Sequence, residues 1–491
     1  MVSNVSEAGP PAGGRPVAAA EQKFSLLTLT AMVVGSMVGA GIFSLMATFG
    51  RATGPFGALV AWTIAGAGML MLAFVFQNLA QRKPDLDNGI FAYAKAGFGE
   101  YLGFIAAFGF WVGTCLGNVT YFVLISSTLG RFFPVFGDGN TLFAIVFSSV
   151  ILWAVHFMIL RGVKEAAGIN TVVTIAKIVP ILVFIFIMVF VFDLNKFLDN
   201  FWGGGGYSTS EVFNQVRSTM LVTVFVFIGI EGASVYSRYA KRREDVGLAT
   251  VFGFLGVLCL LVLVTLLPYG LLDRAELGAL RQPSMAGVLE AAVGPWGATF
   301  ISIGLLISVL GAYLAWSLLA AEMLFVAAKG DVVPKVFAHE NANQVPAVAL
   351  WLTAILVQLL LIVTLFASEA FDLALAMTSA KTLIPYVLAA AFALKLARSG
   401  ETYAPGSRDR RKDLVIGALA TFYALFMLWA GGLKYVLLAA VLLAPGTILF
   451  ILARREARQS VFTRVEWALF AVVVLGGVYG VYGLVTGAIQ I

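Results

Sequence analysis

The sequence predicts an all-α, polytopic membrane protein with about 13 transmembrane helices. Of its 491 residues, 60% are hydrophobic and 12% are charged, and the mean hydropathy is +0.95. A soluble protein of this size could not bury so large an apolar fraction. Apolar stretches of about 20 residues, the length that crosses a bilayer, recur along the chain. Glycine-rich runs interrupt the first and the sixth of these stretches.

The order of the apolar stretches sets the expected domain organisation. The third and eighth are long, so we expect them to be tilted. The predicted spans are 25–48, 55–80, 98–130, 141–160, 168–193, 216–237, 246–271, 286–328, 346–367, 372–397, 413–430, 433–453 and 465–488. The predicted units are a disordered tail (1–22), a ten-helix core (23–398) with repeats at about 23–195 and 211–398, a basic loop (399–412) and C-terminal helices (413–491). The tail has no short apolar core after a charged start, so we do not expect a signal peptide.

Basic residues predict the orientation of the chain. With the N-terminus in the cytoplasm, 23 of the 32 lysines and arginines fall on the inner side and seven on the outer side. Cytoplasmic loops are rich in these residues, so this bias predicts a cytoplasmic N-terminus. Thirteen spans then place the C-terminus outside.

The first interruption is the run Gly35-Ser36-Met37-Val38-Gly39-Ala40-Gly41. Lipid cannot satisfy free backbone groups, so a broken membrane helix is expected only where it lines a cavity or binds something. The unpaired N–H groups and the positive end of a half-helix suit a carboxylate, and Gly39, Ala40 and Gly41 would let it approach the backbone. A small-residue packing face between helices is the alternative.

The second interruption is the run Phe227-Ile228-Gly229-Ile230-Glu231-Gly232-Ala233-Ser234. Freed carbonyls near Ile228 would suit a substrate ammonium group. Glu231 is an acid at mid-membrane, which is a functional hypothesis by default. It could titrate, attract a cationic substrate or pair with a lysine, and a structural ion pair is the alternative. Broken helices in matching positions of two halves are typical of a secondary transporter.

Two lysines lie inside predicted spans and repeat a local pattern. Lys177 precedes Pro180 in the fifth span, and Lys381 precedes Pro385 in the tenth. Lys177 could replace a sodium ion between helices, take part in proton coupling or form a fixed salt bridge. Glu322, near the cytoplasmic end of the eighth span, could reach the interface or line an inner vestibule.

Two further side chains are candidates for substrate contact. Trp316 could hold a guanidinium or ammonium group by a cation–π contact, although packing alone would also explain it. Asn118 could bind substrate or another helix. The two histidines, His156 and His339, lack zinc-ligand spacing, and no phosphate-binding loop is present, so the sequence predicts no metal site, cofactor or enzymatic activity.

From about Phe24 to the C-terminus, the chain resembles the amino acid–polyamine–organocation superfamily. It is most similar to the basic amino acid/polyamine antiporters of the arginine/ornithine type. The motifs that carry the resemblance are Gly35–Phe43, Gln77–Ala80 with Arg82–Pro84, Gly89–Gly99, Phe227–Ser234, Trp316–Glu322, and Gly432–Tyr435 with Ala444–Thr447.

The resemblance implies a leucine-transporter-like 5+5 inverted repeat with extra C-terminal helices, and a homodimer. It implies that Ser36 to Gly41 bind the substrate carboxylate and that Ile228 and its neighbours bind the α-amino group. The residues expected to surround the substrate side chain are Asn118, Phe225, Trp316 and Thr378. Glu231 and Tyr386 would belong to the inner gate, and Lys177 resembles the sodium-replacing lysine of proton-coupled relatives.

The implied function is exchange of cationic amino acids across the inner membrane, with arginine and ornithine as the expected pair. Phe225 and Phe110 stand where the arginine/agmatine relatives carry Trp and Tyr, which weakens an arginine/agmatine assignment. Lysine/cadaverine exchange, arginine/agmatine exchange and proton-coupled uptake remain alternatives. A membrane receptor or channel and an intramembrane enzyme are more distant alternatives.

Overall fold

The computed structural model describes residues 25–86, 90–162, 167–204, 207–230 and 243–490, and helices dominate this part of the chain. In chain order the helices are α1 (Leu26–Met37), α2 (Leu45–Ala52), α3 (Pro55–Arg82), α4 (Ile90–Phe98), α5 (Glu100–Gly130), α6 (Leu142–Leu160), α7 (Ala167–Phe190), α8 (Leu194–Asp199), α9 (Thr209–Phe225), α10 (Arg243–Leu266), α11 (Arg274–Ala279), α12 (Ser284–Val293), α13 (Pro295–Lys329), α14 (Ala347–Val363), α15 (Ala370–Ser399), α16 (Arg408–Gly431), α17 (Leu433–Glu456) and α18 (Arg464–Val485).

The predicted all-α membrane architecture is confirmed. Within the described residues, 11 helices are long and apolar enough to cross a membrane, and the bent pair of α1 and α2 makes a twelfth candidate span. The predicted sixth span begins as α9, and its continuation from 231 to 237 lies outside the described residues. The count of 13 is therefore approximate.

The eighth predicted span, 286–328, is two helices and not one. The ten-residue α12 ends at Val293, and the 35-residue α13 begins at Pro295. Between them Gly294 adopts φ +88°, a conformation that favours glycine. Pro295 has no N–H to continue a helix and suits the first helical position of the next one. The prediction of one long helix over 286–328 is therefore wrong, because the stretch is divided at Gly294.

Helix α5 is the most buried of the candidate spans, with 94% of its most apolar window inside the bundle. Two of its glycines allow close approach of neighbouring helices. A Cβ atom at Gly113 would lie 3.1 Å from the Cβ of Lys381 in α15, and one at Gly117 would overlap the Trp316 ring in α13. Small residues at such crossings are typical of packed membrane helices.

Ion pairs tie the helix ends together at both ends of the bundle. At one end Arg82 pairs with Asp413 at 3.0 Å, and Glu100 lies 3.1 Å from Lys95. At the other end Arg51 pairs with Asp372 at 2.6 Å. The first end carries residues that the sequence assigns to the cytoplasmic side, and the second carries residues assigned to the outer side.

Candidate functional site

The first helix breaks at the predicted position. Helix α1 ends at Met37, Gly39 is extended (φ −118°, ψ −161°), and a 3₁₀ turn over Ala40–Ser44 leads into α2. The axis bends by 48° across this break. Within the described part of the chain, added Cβ atoms at Gly35 and Gly39 would meet no atom within 4 Å. No described residue therefore packs against the backbone of the first break at these two positions.

The second break touches the first. Helix α9 ends at Phe225, and the turn that follows includes Gly229 at φ +106°. A Cβ atom at Gly229 would overlap the carbonyl oxygen of Ser36 and lie 3.0 Å from its carbonyl carbon. The Ser36 hydroxyl donates to the carbonyl of Val33 at 2.8 Å and lies 3.2 Å from that of Gly229. Backbone packs directly on backbone here.

Lys177 connects α7 to the first break. Its ammonium group donates to the carbonyl oxygen of Gly35 at 2.6 Å, and the residue is only 8% exposed. Carbonyl groups in the last turn of a helix lack helical partners and carry the negative end of the helix dipole. A cation at this position stabilises the end of α1, which is compatible with the sodium-replacing role implied by the resemblance.

Phe225 and Gly41 form a packed contact between the two broken helices. A Cβ atom at Gly41 would lie 2.7 Å from Cδ1 of Phe225, so only glycine allows the ring its present position. Ala40, Phe225 and Ile228 are all buried. Of the three glycines in the first motif, Gly41 thus fits the packing alternative, whereas Gly35 and Gly39 do not.

The other predicted substrate contacts lie on α5, α13 and α15. Trp316 is partly buried against Gly117, and its ring centroid is 5.4 Å from that of Tyr121. Asn118 is fully buried, with its side-chain nitrogen 3.5 Å from the Ser317 hydroxyl. The Thr378 hydroxyl donates to the carbonyl of Ala374 within its own helix at 2.8 Å.

The predicted gating and coupling residues are spread over the bundle. Phe110 is buried in α5, and Tyr386 is fully buried with its ring 5.3 Å from that of Phe76. Glu322 is exposed on α13, whereas Glu231 lies outside the described residues.

Lys381 is fully buried and donates to the carbonyl of Ala439 in α17 at 2.7 Å. Lys381 therefore contacts a C-terminal helix, whereas Lys177 contacts the first break. The sequence echo between Lys177 and Lys381 is not matched by equivalent hydrogen bonds.

One large cavity of about 830 Å³ opens at the Arg51 end of the bundle, and we call it the vestibule. Its lining includes the buried residues Leu221 and Val222, about one turn before Phe225 in α9. On α15 it includes Ala376, which lies just before Thr378. The charged residues that line it are Arg51, Glu211, Arg217, Arg274, Glu369 and Asp372.

The sequence analysis assigned no role to these charges. They could have been noticed because they lie in or next to α2, α9, α11 and α15, on the outer side of the predicted topology.

The amino acid permease family model matches residues 24–447 of this chain. The chain belongs to this permease family. The match runs from just before α1 into α17. The predicted resemblance to the amino acid–polyamine–organocation superfamily is confirmed.

Full-length relatives of this permease transport cationic amino acids, according to their names. This permease is 53% identical to the arginine/ornithine antiporter of Pseudomonas aeruginosa, over 95% of this chain and 98% of that protein. This permease is 41% identical to a putative arginine/ornithine antiporter of Escherichia coli K12, over 95% of this chain and 100% of that protein. It is 39% identical to the L-lysine transport protein of Corynebacterium glutamicum, over 98% of this chain and 99% of that protein.

Proposed function

We propose that this permease exchanges arginine for ornithine across the inner membrane by alternating access. The observation that carries the proposal is the contact of the two helix breaks next to Gly39, whose Cα no described residue covers. Broken helices at mid-membrane are where transporters of this architecture hold an amino acid. The arginine/ornithine pair rests on the names of two relatives that match 95% of this chain.

In this proposal the first break binds the substrate carboxylate, with Ser36, Gly39, Ala40 and Gly41 as its residues. Gly41 contributes only its backbone N–H, because its Cα packs against Phe225. The freed backbone around Ile228 binds the α-amino group. Trp316, Phe225, Asn118 and Thr378 surround the side chain. Both amino acids carry a carboxylate, an α-amino group and a cationic side chain, so one site can serve both directions of exchange. The exchange of equal charges needs no ion gradient.

The same proposal includes a cytoplasmic N-terminus and a role for the vestibule in substrate entry. If the N-terminus lies in the cytoplasm, the vestibule opens on the outer side. Its three carboxylates, Glu211, Glu369 and Asp372, are matched in number by three arginines, Arg51, Arg217 and Arg274, so the cleft offers partners to both the carboxylate and the cationic groups of an amino acid. Substrate would then pass between α9 and α15 to reach the two breaks.

Uptake of labelled arginine into proteoliposomes tests the proposal. The vesicles are preloaded with ornithine, lysine, agmatine, cadaverine or buffer alone, with a protonophore present in a parallel set. We expect fast uptake with ornithine inside, little uptake into buffer-loaded vesicles, and no effect of the protonophore. Uptake into buffer-loaded vesicles that is lost with the protonophore would instead establish a proton-coupled permease and contradict the exchange.

Lysine is a second candidate substrate, because the L-lysine transport protein of Corynebacterium glutamicum matches 98% of this chain. The lysine-loaded vesicles address it in the same experiment. Arginine uptake that is faster with internal lysine than with internal ornithine would make lysine the exchanged partner.

A further inference from the structure

A small polar cavity lies inside the bundle between α5, α6, α13 and α14. Its volume is about 10 Å³, close to the smallest space that holds one water molecule. Polar side chains on all four helices line it, and the rest of its wall is aliphatic. These polar residues are Asn118, His156, Tyr313, Ser317 and Thr353.

Two of these side chains have polar atoms that are not hydrogen-bonded within the described part of the chain. These atoms are Oδ1 of Asn118 and both ring nitrogens of His156. Asn118 is 0% exposed and His156 is 2% exposed, so bulk water does not reach them. Buried polar atoms in native proteins almost always have a hydrogen-bond partner, which can be an ordered water molecule.

We propose that this cavity binds one water molecule that bridges His156 to Asn118, and that His156 thereby positions the Asn118 amide for substrate. The role in substrate recognition rests on the proposed function. A neutral imidazole has one N–H donor and one acceptor nitrogen. Water can accept from the His156 N–H group and donate to Oδ1 of Asn118. Its second hydrogen can be donated to a hydroxyl oxygen of Ser317 or Thr353.

The direct contacts of Asn118 leave its amide weakly fixed. Its only hydrogen bond among the described residues is the 3.5 Å contact with Ser317, which is long for an N–H···O bond. Thr353, in contrast, is held firmly, since it accepts from the Trp111 indole at 3.0 Å and donates to the carbonyl of Ala349 at 2.8 Å. A bridging water would anchor the amide to this rigid wall.

The position of Asn118 ties the cavity to the candidate substrate site. It follows Gly117, on which the Trp316 ring rests. Asn118 itself contacts Ser317, the residue that follows Trp316 in α13, so a rotation of its amide would change the contact between α5 and α13 next to the indole that is proposed to face the substrate side chain. This arrangement makes His156 a positioning residue, because it acts through the water and Asn118.

The transport test compares His156→Phe with His156→Gln, which keeps one donor and one acceptor. We expect His156→Phe to raise the KM for arginine about three- to tenfold, the effect of one lost hydrogen bond. Maximal exchange should change less than KM, and His156→Gln should restore most of the affinity. The matched control is His339→Phe, since His339 is exposed in a loop and should leave KM unchanged.

A double-mutant cycle separates positioning from folding. In an Asn118→Ala background, His156→Phe should produce no further rise in KM, because the group that it positions is gone. A full additional rise in that background would overturn the proposal, as would equal KM values for His156→Phe and the wild type.

The water itself can be observed whatever the substrate proves to be. A high-resolution cryo-electron microscopy map of the wild-type protein should show density within hydrogen-bond distance of His156 and Asn118. A well-resolved cavity without density would overturn the proposal. Density in a protein that does not exchange arginine would support the water site and contradict only the proposed function.

Discussion

The two helix breaks use glycine for different physical reasons. At the first break, no described residue lies within 4 Å of a Cβ atom added at Gly35 or Gly39, and Gly39 has ordinary extended backbone angles. At the second break, Gly229 has a positive φ and lies against the Ser36 backbone. The first arrangement leaves room for a ligand to reach the backbone, whereas the second holds the two broken helices together. Similar glycine-rich motifs in the two halves thus have different roles.

The largest effect is expected for Gly229→Ala. The substitution puts a side chain into a left-handed conformation and into contact with the Ser36 carbonyl, neither of which can relax cheaply. We expect the protein to lose about 3 kcal/mol of stability and to lose exchange. Thermal unfolding of the detergent-purified protein measures this. If Gly229→Ala unfolded at the same midpoint temperature as the wild type, the breaks would not depend on the contact between Gly229 and Ser36.

A smaller effect is expected for Lys177→Met, which removes the cation from the Gly35 carbonyl. We expect a loss of roughly 2 kcal/mol of stability and weaker arginine binding, since the first break is no longer held. Lys381→Met is the matched control, because Lys381 is also buried but contacts Ala439 in α17. It should lower the unfolding temperature with little change in the Kd for arginine. Equal binding losses in both variants would contradict the assignment of the two lysines to different regions.

The smallest of the three effects is expected for Gly41→Ala. The new methyl group would meet the Phe225 ring at 2.7 Å, and a ring can move where backbone cannot. We expect about 1 kcal/mol of destabilisation and a change in the ratio of the KM values for arginine and ornithine, because Phe225 is proposed to border the side chain. Competition uptake in proteoliposomes measures the ratio. An unchanged ratio would remove Phe225 from the pocket.

Span positions and the first break were predictable from sequence because they depend on local composition. Apolar length identifies a membrane helix, and glycines within one indicate a break. The division at Gly294 was missed because the apolar character continues through it, although Gly-Pro is itself a helix-ending signal. The hydrophobic pattern alone carries no information about such a backbone turn.

Contacts between distant segments were much less predictable. The pattern shared by Lys177 and Lys381 did not indicate what either lysine contacts, and the two ammonium groups donate to carbonyls of different helices, α1 and α17. His156 stood alone in the sequence and shares a cavity with Asn118 only in the folded bundle. The vestibule brings together charges from α2, α9, α11 and α15, which no single motif contains.

The central claim is that the first break offers its backbone to the substrate, and the Kd for arginine of Gly39→Ala tests it most directly. Gly35→Ala is the matched control, since no described residue lies within 4 Å of either added methyl group. Isothermal titration calorimetry on the purified variants should show at least about tenfold weaker binding for Gly39→Ala alone, equivalent to roughly 1.4 kcal/mol, with both variants folded as the wild type. A Gly39→Ala variant that binds arginine as tightly as Gly35→Ala would contradict the account, because a ligand at that backbone could not coexist with the new side chain.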